Sequence, residues 1–396
     1  MPPISLDDAW GIIAAAATPL DRELVSLNDG AGRVLAAPVL AAFESPRANV
    51  SMMDGFAVRE ADARVGAVFQ VIGVSAAGAS FDGRVGAGQA VRIFTGAALA
   101  DGADRVVIQE NMTTEGVAAT IVEAPGAMRF IRARGGDFAY GDAVVAAGTR
   151  LTPGALVAAA GAGGDKVSVT RRPRVITIAT GDELRAVGAD LETLDHIPDS
   201  IGPGLSAMFN ALGAEVLEHH LLGDDLPALE AAAAAAVAAA DLVVVTGGAS
   251  VGTRDHAKAM FAPLGIELLF TKVAIKPGKP VWLGRVGTTL VMGLPGNPSS
   301  AMVTARLLLA PLVAGLLGQR SPAPLEWIDL PLAAPLPATG DRETFVRAML
   351  VDGRLVLLAN QDSGGQRALA QAGWLLRCPA AQGPLDPGTM VPALAF

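Results

Sequence analysis

The run of apolar and polar positions changes character several times along the chain, and each change predicts a different kind of element. Residues 5–17 read as a helix, with Asp7 and Asp8 suited to its first turn and Ala14 to Ala17 to its body. Residues 27–37 predict a second helix, stopped near Pro38. From about Phe43 to Arg134 short apolar runs such as Phe56-Ala57-Val58, Val68 to Val74 and Ala90 to Phe94 alternate with Gly, Asp and Pro. That spacing predicts a compact β-rich domain. Residues 148–162 return to helix behind Thr152-Pro153, an N-cap and first-turn pair. The β-rich part is therefore read as an insertion into a partly helical domain.

From Arg174 onward, apolar strands alternate with helices. Residues 175–180, 215–222 and 241–246 read as strands, and 204–212 and 226–240 as helices. This alternation predicts a mostly parallel, doubly wound sheet covered on both faces. Residues 298–317 would be its last long helix, and Ser321-Pro322-Ala323-Pro324 a linker into short β-like runs. The expected division is 1–43 with 135–172 (partly helical), 44–134 (β-rich), 173–320 (α/β) and 321–396 (a C-terminal β barrel).

Composition narrows the function classes. The net charge of −9 argues against a general nucleic-acid binder, which needs a basic face. One cysteine, Cys378, precludes an internal disulfide and suits the cytoplasm. The first residues, MPPISLDDAWG, carry two acids and no base, unlike a secretory signal. Neither the polyalanine tract at 231–240 nor the tract at 301–317, which holds Arg306 and Pro311, reads as a membrane span.

Candidate chemistry gathers where ligands bind in open α/β sheets, beyond the carboxyl ends of the strands. In Thr180-Gly181-Asp182-Glu183, either the turn is a polar cap or Asp182 or Glu183 meets a metal or ligand. In TGGASVGTRDH, Gly247 and Gly248 let backbone approach a ligand, Ser250 can donate, and Asp255 can hold Mg²⁺ or a polar group. KVAIKPGKP displays Lys276 and Lys279 around Pro277-Gly278, which suits a phosphate or an oxyanion such as molybdate. LPGNPSSA offers Pro295, Asn297 as N-cap and Pro298 as first helical residue; its free N–H groups either bind an anion or simply begin a helix. Together these loops suit a polyanionic ligand with a divalent cation. His219 and His220, on one strand, read as structural. Asp54, in SMMDGFAV, either shapes a turn or meets a ligand.

SMMDGFAV, IFTGAALADGADRVVIQE, ATGDEL, TGGASVGTRDHAK, AIKPGKP and GLPGNPSSA, in this order, resemble the molybdopterin molybdenumtransferase family (the MoeA type, to which the E domain of gephyrin is similar). The resemblance spans essentially the whole chain. It implies a homodimer of four-domain subunits that inserts molybdate into adenylylated molybdopterin with Mg²⁺ and releases AMP. The cleft would lie between the α/β domain of one subunit and the β-rich domain of the other. An adenylyltransferase would supply the pterin and cofactor-accepting enzymes would receive the product.

Carried over by motif, the resemblance implies activity roles for Asp54, Thr95, Glu183, Asp225 and Asp255, with Glu183, Asp225 and Asp255 as metal ligands. It implies oxyanion contact for Lys276 and Lys279, an acidic cleft position for Asp137, and a serine facing the site at Ser363. Thr180, Gly247, Gly248, Ser250, Pro295, Asn297 and Pro298 complete the expected substrate contacts. The family's usual Asp-Ser/Thr-Asn triplet reads Asp199-Ser200-Ile201 here, and Ala372-Gly373 stands where Ala-Asn is common. These departures hold open a divergent paralogue acting as a pterin-binding scaffold. A generic nucleotide or pterin hydrolase is the third reading, and it would not need the inserted and C-terminal domains.

Overall fold

A computed structural model of the chain describes residues 2–247, 256–320 and 323–396. Its centre is a six-stranded sheet in the order Glu215–Leu222, Arg174–Thr180, Leu242–Thr246, Thr289–Leu294, Trp282–Val286, Glu267–Phe270. The first four strands run parallel, and Trp282–Val286 is antiparallel to both its neighbours. The strand Leu242–Thr246 is buried on both faces, as its unbroken apolar run requires. Leu242 and Val244 pack with Leu205, Phe209 and Leu308 on one side, and Val243 and Val245 with Leu229, Ala233 and Phe261 on the other. Helices therefore cover both faces, the doubly wound arrangement that the alternation predicts.

The inserted segment forms a second six-stranded sheet, from Gly55–Val58 to Ala118–Ile121, antiparallel except where Val68–Ser75 runs beside Gln89–Ile93. The C-terminal segment forms a third from Trp327–Pro331, Glu343–Val351, Arg354–Leu357, Trp374–Cys378 and Met390–Ala395. A bridge between Leu332 and Leu355 joins its two ends. Ile275–Lys276, from the α/β region, adds itself to this sheet in parallel with Glu343 and Thr344. The basic loop is thereby fixed at the seam between two domains.

The helix expected at 27–37 is not formed. Leu27–Asp29 is one 3₁₀ turn, and Val34 and Leu35 make bridges to Arg150 and Val169. Gly30 and Gly32 explain this: Gly32 has φ +71° and a Cβ at Gly30 would press on Leu27 O and Leu151. The helix expected at 204–212 begins earlier, at Ile201–Leu212. Pro203 is tolerated in the first turn, and the Asp199 carboxylate accepts from Ile201 N and Gly202 N. Pro298–Leu316 is long and apolar enough to cross a membrane by composition, yet 78% of it is buried inside the fold as a core helix. Gln366–Gln371 is a short helix that the β-like pattern of the C-terminus concealed.

Candidate active site

The loops at the carboxyl ends of the parallel strands pack backbone on backbone. Thr180 is buried and its hydroxyl donates to Thr246 O at 3.4 Å. Gly247 has φ +90°, and a side chain there would strike Thr180 O, so this turn requires glycine. Gly296, in Pro295-Gly296-Asn297, faces Gly247 Cα at the distance a Cβ would meet it, 3.4 Å. Gly248, Ser250 and Asp255 lie outside the described residues.

Beside these loops, between the α/β and C-terminal domains, lies a cavity of ≈ 740 Å³. Lys276 and Lys279 line it with Ser300, Arg342, Gln361, Asp362 and Ser363. Three cations and one carboxylate in one recess favour an anion. Gly278, at φ +104°, lies so close over Thr304 that no side chain fits, which holds the loop between the two lysines against the helix. Arg342 donates to Ile275 O at 3.3 Å, tying the third cation to the same strand end.

Asn297 differs from the N-cap expected of it. Pro298 does open the helix, but the Asn297 side chain makes no capping bond and reaches Ser363 Oγ instead, at 3.1 Å. Ser299 N donates to Ser363 O and Ser299 Oγ to Gly365 O. The cap is forgone because the C-terminal loop occupies the helix entrance. Beneath that loop Arg347 is fully buried and donates from Nη2 to Asp362 O (3.0 Å) and Asn360 O (3.4 Å). Its Nε and Nη1 have no partner among the described residues, and burial pushes the guanidinium below its ordinary range against the opposing charge of Asp362.

Arg342 and Arg347 escaped the sequence reading, and Ser300 enters it only as a residue in the first turn of the helix that follows LPGN. Arg342 stands in no motif. Arg347 carried one signal: it shares the inward face of its strand with Phe345, two residues earlier, where an arginine is out of place.

The acids divide. The Glu183 carboxylate folds back over Gly181 and makes no hydrogen bond among the described residues. Asp225 caps Leu226–Ala239, accepting from Ala228 N at 3.3 Å through one oxygen, and its other oxygen makes no hydrogen bond among the described residues. Asp182 is used structurally, accepting from Asp224 N at 2.9 Å. Hard carboxylate donors at strand ends fit Mg²⁺ in kind, although no cluster of three or more acids, histidines or cysteines forms among the described residues.

Asp54 and Thr95 sit together in the β-rich domain. Thr95 N and Thr95 Oγ1 each donate to Asp54 Oδ1 at 2.7 Å, while Asp54 O accepts from Gln109 N. The Thr95 backbone bond, its hydroxyl and then Arg92 hold the Asp54 carboxyl below its ordinary range. Asp137 lines a different recess, with Phe138, Gly154 and Val157. Neither Asp54, Thr95 nor Asp137 lines the lysine cavity within one chain. Cys378 is buried, its thiol pushed up to about 11 by desolvation and Glu343, and offers no thiolate chemistry.

Fold and site together define a multidomain protein whose α/β domain and C-terminal sheet enclose a cavity lined by Lys276, Lys279 and Arg342. Comparison with known proteins gives this class a family. Residues 4–163 match the MoeA N-terminal region (domain I and II), 176–315 the probable molybdopterin binding domain, and 329–396 the MoeA C-terminal region (domain IV). The molybdopterin molybdenumtransferase of Haemophilus influenzae is 38% identical over 303 residues, 76% of this chain and 74% of that protein. That of Nostoc sp. is 32% identical over 343 residues, 84% and 78% of the two chains. A solved molybdopterin biosynthesis MoeA protein from Pyrococcus horikoshii superposes with a TM-score of 0.80 at 28% identity, covering 100% of this chain and 99% of the other. The chain belongs to the molybdopterin molybdenumtransferase family, whose role is in molybdenum cofactor biosynthesis.

Proposed function

We propose that the protein inserts molybdate into adenylylated molybdopterin and releases AMP, in the cytoplasm and as a homodimer. The observation that carries this reading is the meeting of Lys276, Lys279 and Arg342 in one cavity bounded by the Ser363 loop. Their charges would hold the tetrahedral oxyanion, with Ser300 and Ser363 as hydroxyl donors. Gly247 and Gly296 hold the strand-end loops backbone on backbone, with no side chain between them, beside the place a pyrophosphate would take. Glu183 and Asp225, with Asp255, would hold Mg²⁺, which when bound supplies positive charge to the leaving phosphate. Thr180, Pro295, Asn297 and Pro298 act by shaping the loops.

A homodimer accounts for the placement of Asp54, Thr95 and Asp137 away from the cavity. A second subunit would bring its β-rich domain across the cleft. Leu24, Tyr140 and Val157, 72%, 75% and 74% exposed on the partly helical domain, supply apolar surface for that contact. Molybdopterin adenylyltransferase and cofactor-accepting enzymes would be the transient partners.

Single-turnover AMP release tests the reading. The purified protein is mixed with adenylylated molybdopterin and Mg²⁺, with and without molybdate, and the product is assayed for active cofactor. Molybdate-dependent AMP release with cofactor formation is expected. Tight pterin binding without AMP release would overturn the transferase in favour of the scaffold. Ile201 does not favour that alternative: it is 7% exposed and packs in the core beside Leu205.

A further inference from the structure

His219 stands on the strand Glu215–Leu222 and is half-buried, with its side chain 30% exposed. Both of its ring nitrogens are engaged. Nδ1 lies 2.6 Å from Thr177 Oγ1 on the neighbouring strand, and Nε2 lies 2.6 Å from Asp199 Oδ2. Thr177 is 1% exposed and Asp199 5%, so the relay runs into the interior. With Asp199 ionised, Nε2–H donates to the carboxylate and Nδ1 accepts from the threonine hydroxyl. The other carboxylate oxygen accepts from Ile201 N and Gly202 N, at 3.2 and 3.1 Å. One imidazole thus fixes the carboxylate that fixes the first turn of Ile201–Leu212.

Gly202 belongs to the same arrangement. A Cβ there would stand 2.5 Å from Asp199 Oδ2 and 2.6 Å from His219 Nε2. A side chain at position 202 would therefore collide with both the aspartate and the histidine.

The residue held between Asp199 and the helix is Ser200. Its hydroxyl accepts from Gln366 Nε2 at 3.1 Å, across the seam between the α/β and C-terminal domains. Gln366 begins the helix that follows Ser363-Gly364-Gly365, the loop that borders the lysine cavity. That loop has two sets of attachments to the α/β domain: Asn297 and Ser299 on one side, and Ser200 on the other. The first set is fixed by the buried helix Pro298–Leu316. The second is only as fixed as Asp199.

We propose that His219 is a positioning residue for the anion cavity: through Asp199 it sets Ser200, which latches the Ser363–Gln366 loop of the C-terminal domain. The inference rests on the reading of that cavity as the molybdate site. His219 touches no substrate in this account, and its influence passes through the Ser200–Gln366 bond alone.

The test is a double-mutant cycle read by molybdate titration calorimetry on the full chain, with thermal unfolding of every variant. His219→Leu removes the donor to Asp199; His219→Gln restores a donor at the Nε2 position; Ser200→Ala removes the latch. His219→Leu and Ser200→Ala should each weaken molybdate binding about three- to tenfold, the double variant should be no weaker than the worse single, and His219→Gln should recover most of the loss. If His219→Leu binds within twofold of wild type while Ser200→Ala weakens it, or if the two losses multiply, the proposal is wrong. If His219→Gln melts like wild type but binds no better than His219→Leu, the relay does not act through the Asp199 bond and the proposal falls. Absence of molybdate binding by the wild type is a separate result, which removes the oxyanion reading of the cavity and this inference with it.

Discussion

Asn297 donates from Nδ2 to Ser363 Oγ across 3.1 Å, so the entrance of the longest buried helix is bonded to a loop of the C-terminal domain, not to its own first turn. The lysine cavity has Ser363 in its wall. Its contents are therefore set by two domains at once, and perturbations in either should be read out as anion affinity.

Lys279→Ala should weaken molybdate binding about ten- to a hundredfold, as removal of a charged hydrogen-bond donor does, and Arg342→Ala should have a comparable effect. Both side chains line the cavity, and neither contributes to a hydrophobic core. Melting temperatures should stay within a few degrees of wild type. Titration calorimetry at two salt concentrations checks this, with wild-type affinity falling as salt rises. Retention of full affinity by both variants would remove the cavity from the mechanism.

Arg347→Met separates position from stability. The native guanidinium is fully buried with two nitrogens unpartnered among the described residues, so an apolar side chain of similar volume should cost little stability. It would, however, release the carbonyls of Asn360 and Asp362. The expected outcome is a melting temperature near wild type with a roughly tenfold fall in molybdate affinity, within the range for the two hydrogen bonds lost. A fall in stability with unchanged affinity would show that Arg347 only supports the fold.

How much of this was legible before the structure follows from particular residues. The strands Arg174–Thr180 and Leu242–Thr246 were readable because apolar runs ending at glycine leave little choice. The loops bearing Gly247, Lys276 and Asn297 were readable because glycine, lysine pairs and Asn-Pro are local signals. Arg342 and Arg347 were not, because they matter through partners that are distant in sequence: Ile275 O lies 67 positions from Arg342. The helix expected at 27–37 failed because tertiary packing at Gly30 and two bridges from Val34 and Leu35 override a modest helical propensity. Ile201 looked like a lost polar contact; burial makes it a core residue, and the polar work at that corner passes to Asp199 and His219.

Asp225→Ser tests whether that acid does more than cap its helix. Serine keeps an oxygen for Ala228 N, so the helix Leu226–Ala239 should lose only a few tenths of a kcal/mol relative to aspartate. A charge placed for a cation is lost altogether. AMP release should therefore fall by at least about tenfold and require more Mg²⁺ for half-maximal rate, while the melting temperature barely moves. Equal activity of Asp225→Ser and wild type across a Mg²⁺ titration would restrict Asp225 to capping.

Acid should unfold the protein through Asp241 and Asp199. Burial alone would raise the Asp241 carboxyl, but the Arg171 guanidinium, bonded to it at 2.7 and 2.8 Å, and Arg174 N at 2.8 Å overcome this and hold it below its ordinary value of 3.8. Asp199 is likewise raised by burial and lowered further by His219, Gly202 N and Ile201 N, with the same net direction. A carboxyl whose folded pKa lies below its unfolded one contributes stability that is complete above the unfolded value. That stability is lost as pH falls through the folded value. Wild-type melting temperature should therefore hold from about pH 7 to about pH 5 and drop steeply below about pH 4. Asp241→Asn removes one of the two titrations. It should lower stability near neutrality by roughly 1.5–3 kcal/mol, the range for a hydrogen bond to a charged group, and flatten the acid limb of the curve. Calorimetric melting of both proteins from about pH 3 to pH 8 decides it. Parallel acid limbs would mean that Asp241 titrates alike in the folded and unfolded states, and that its bonds to Arg171 and Arg174 contribute nothing that depends on its charge.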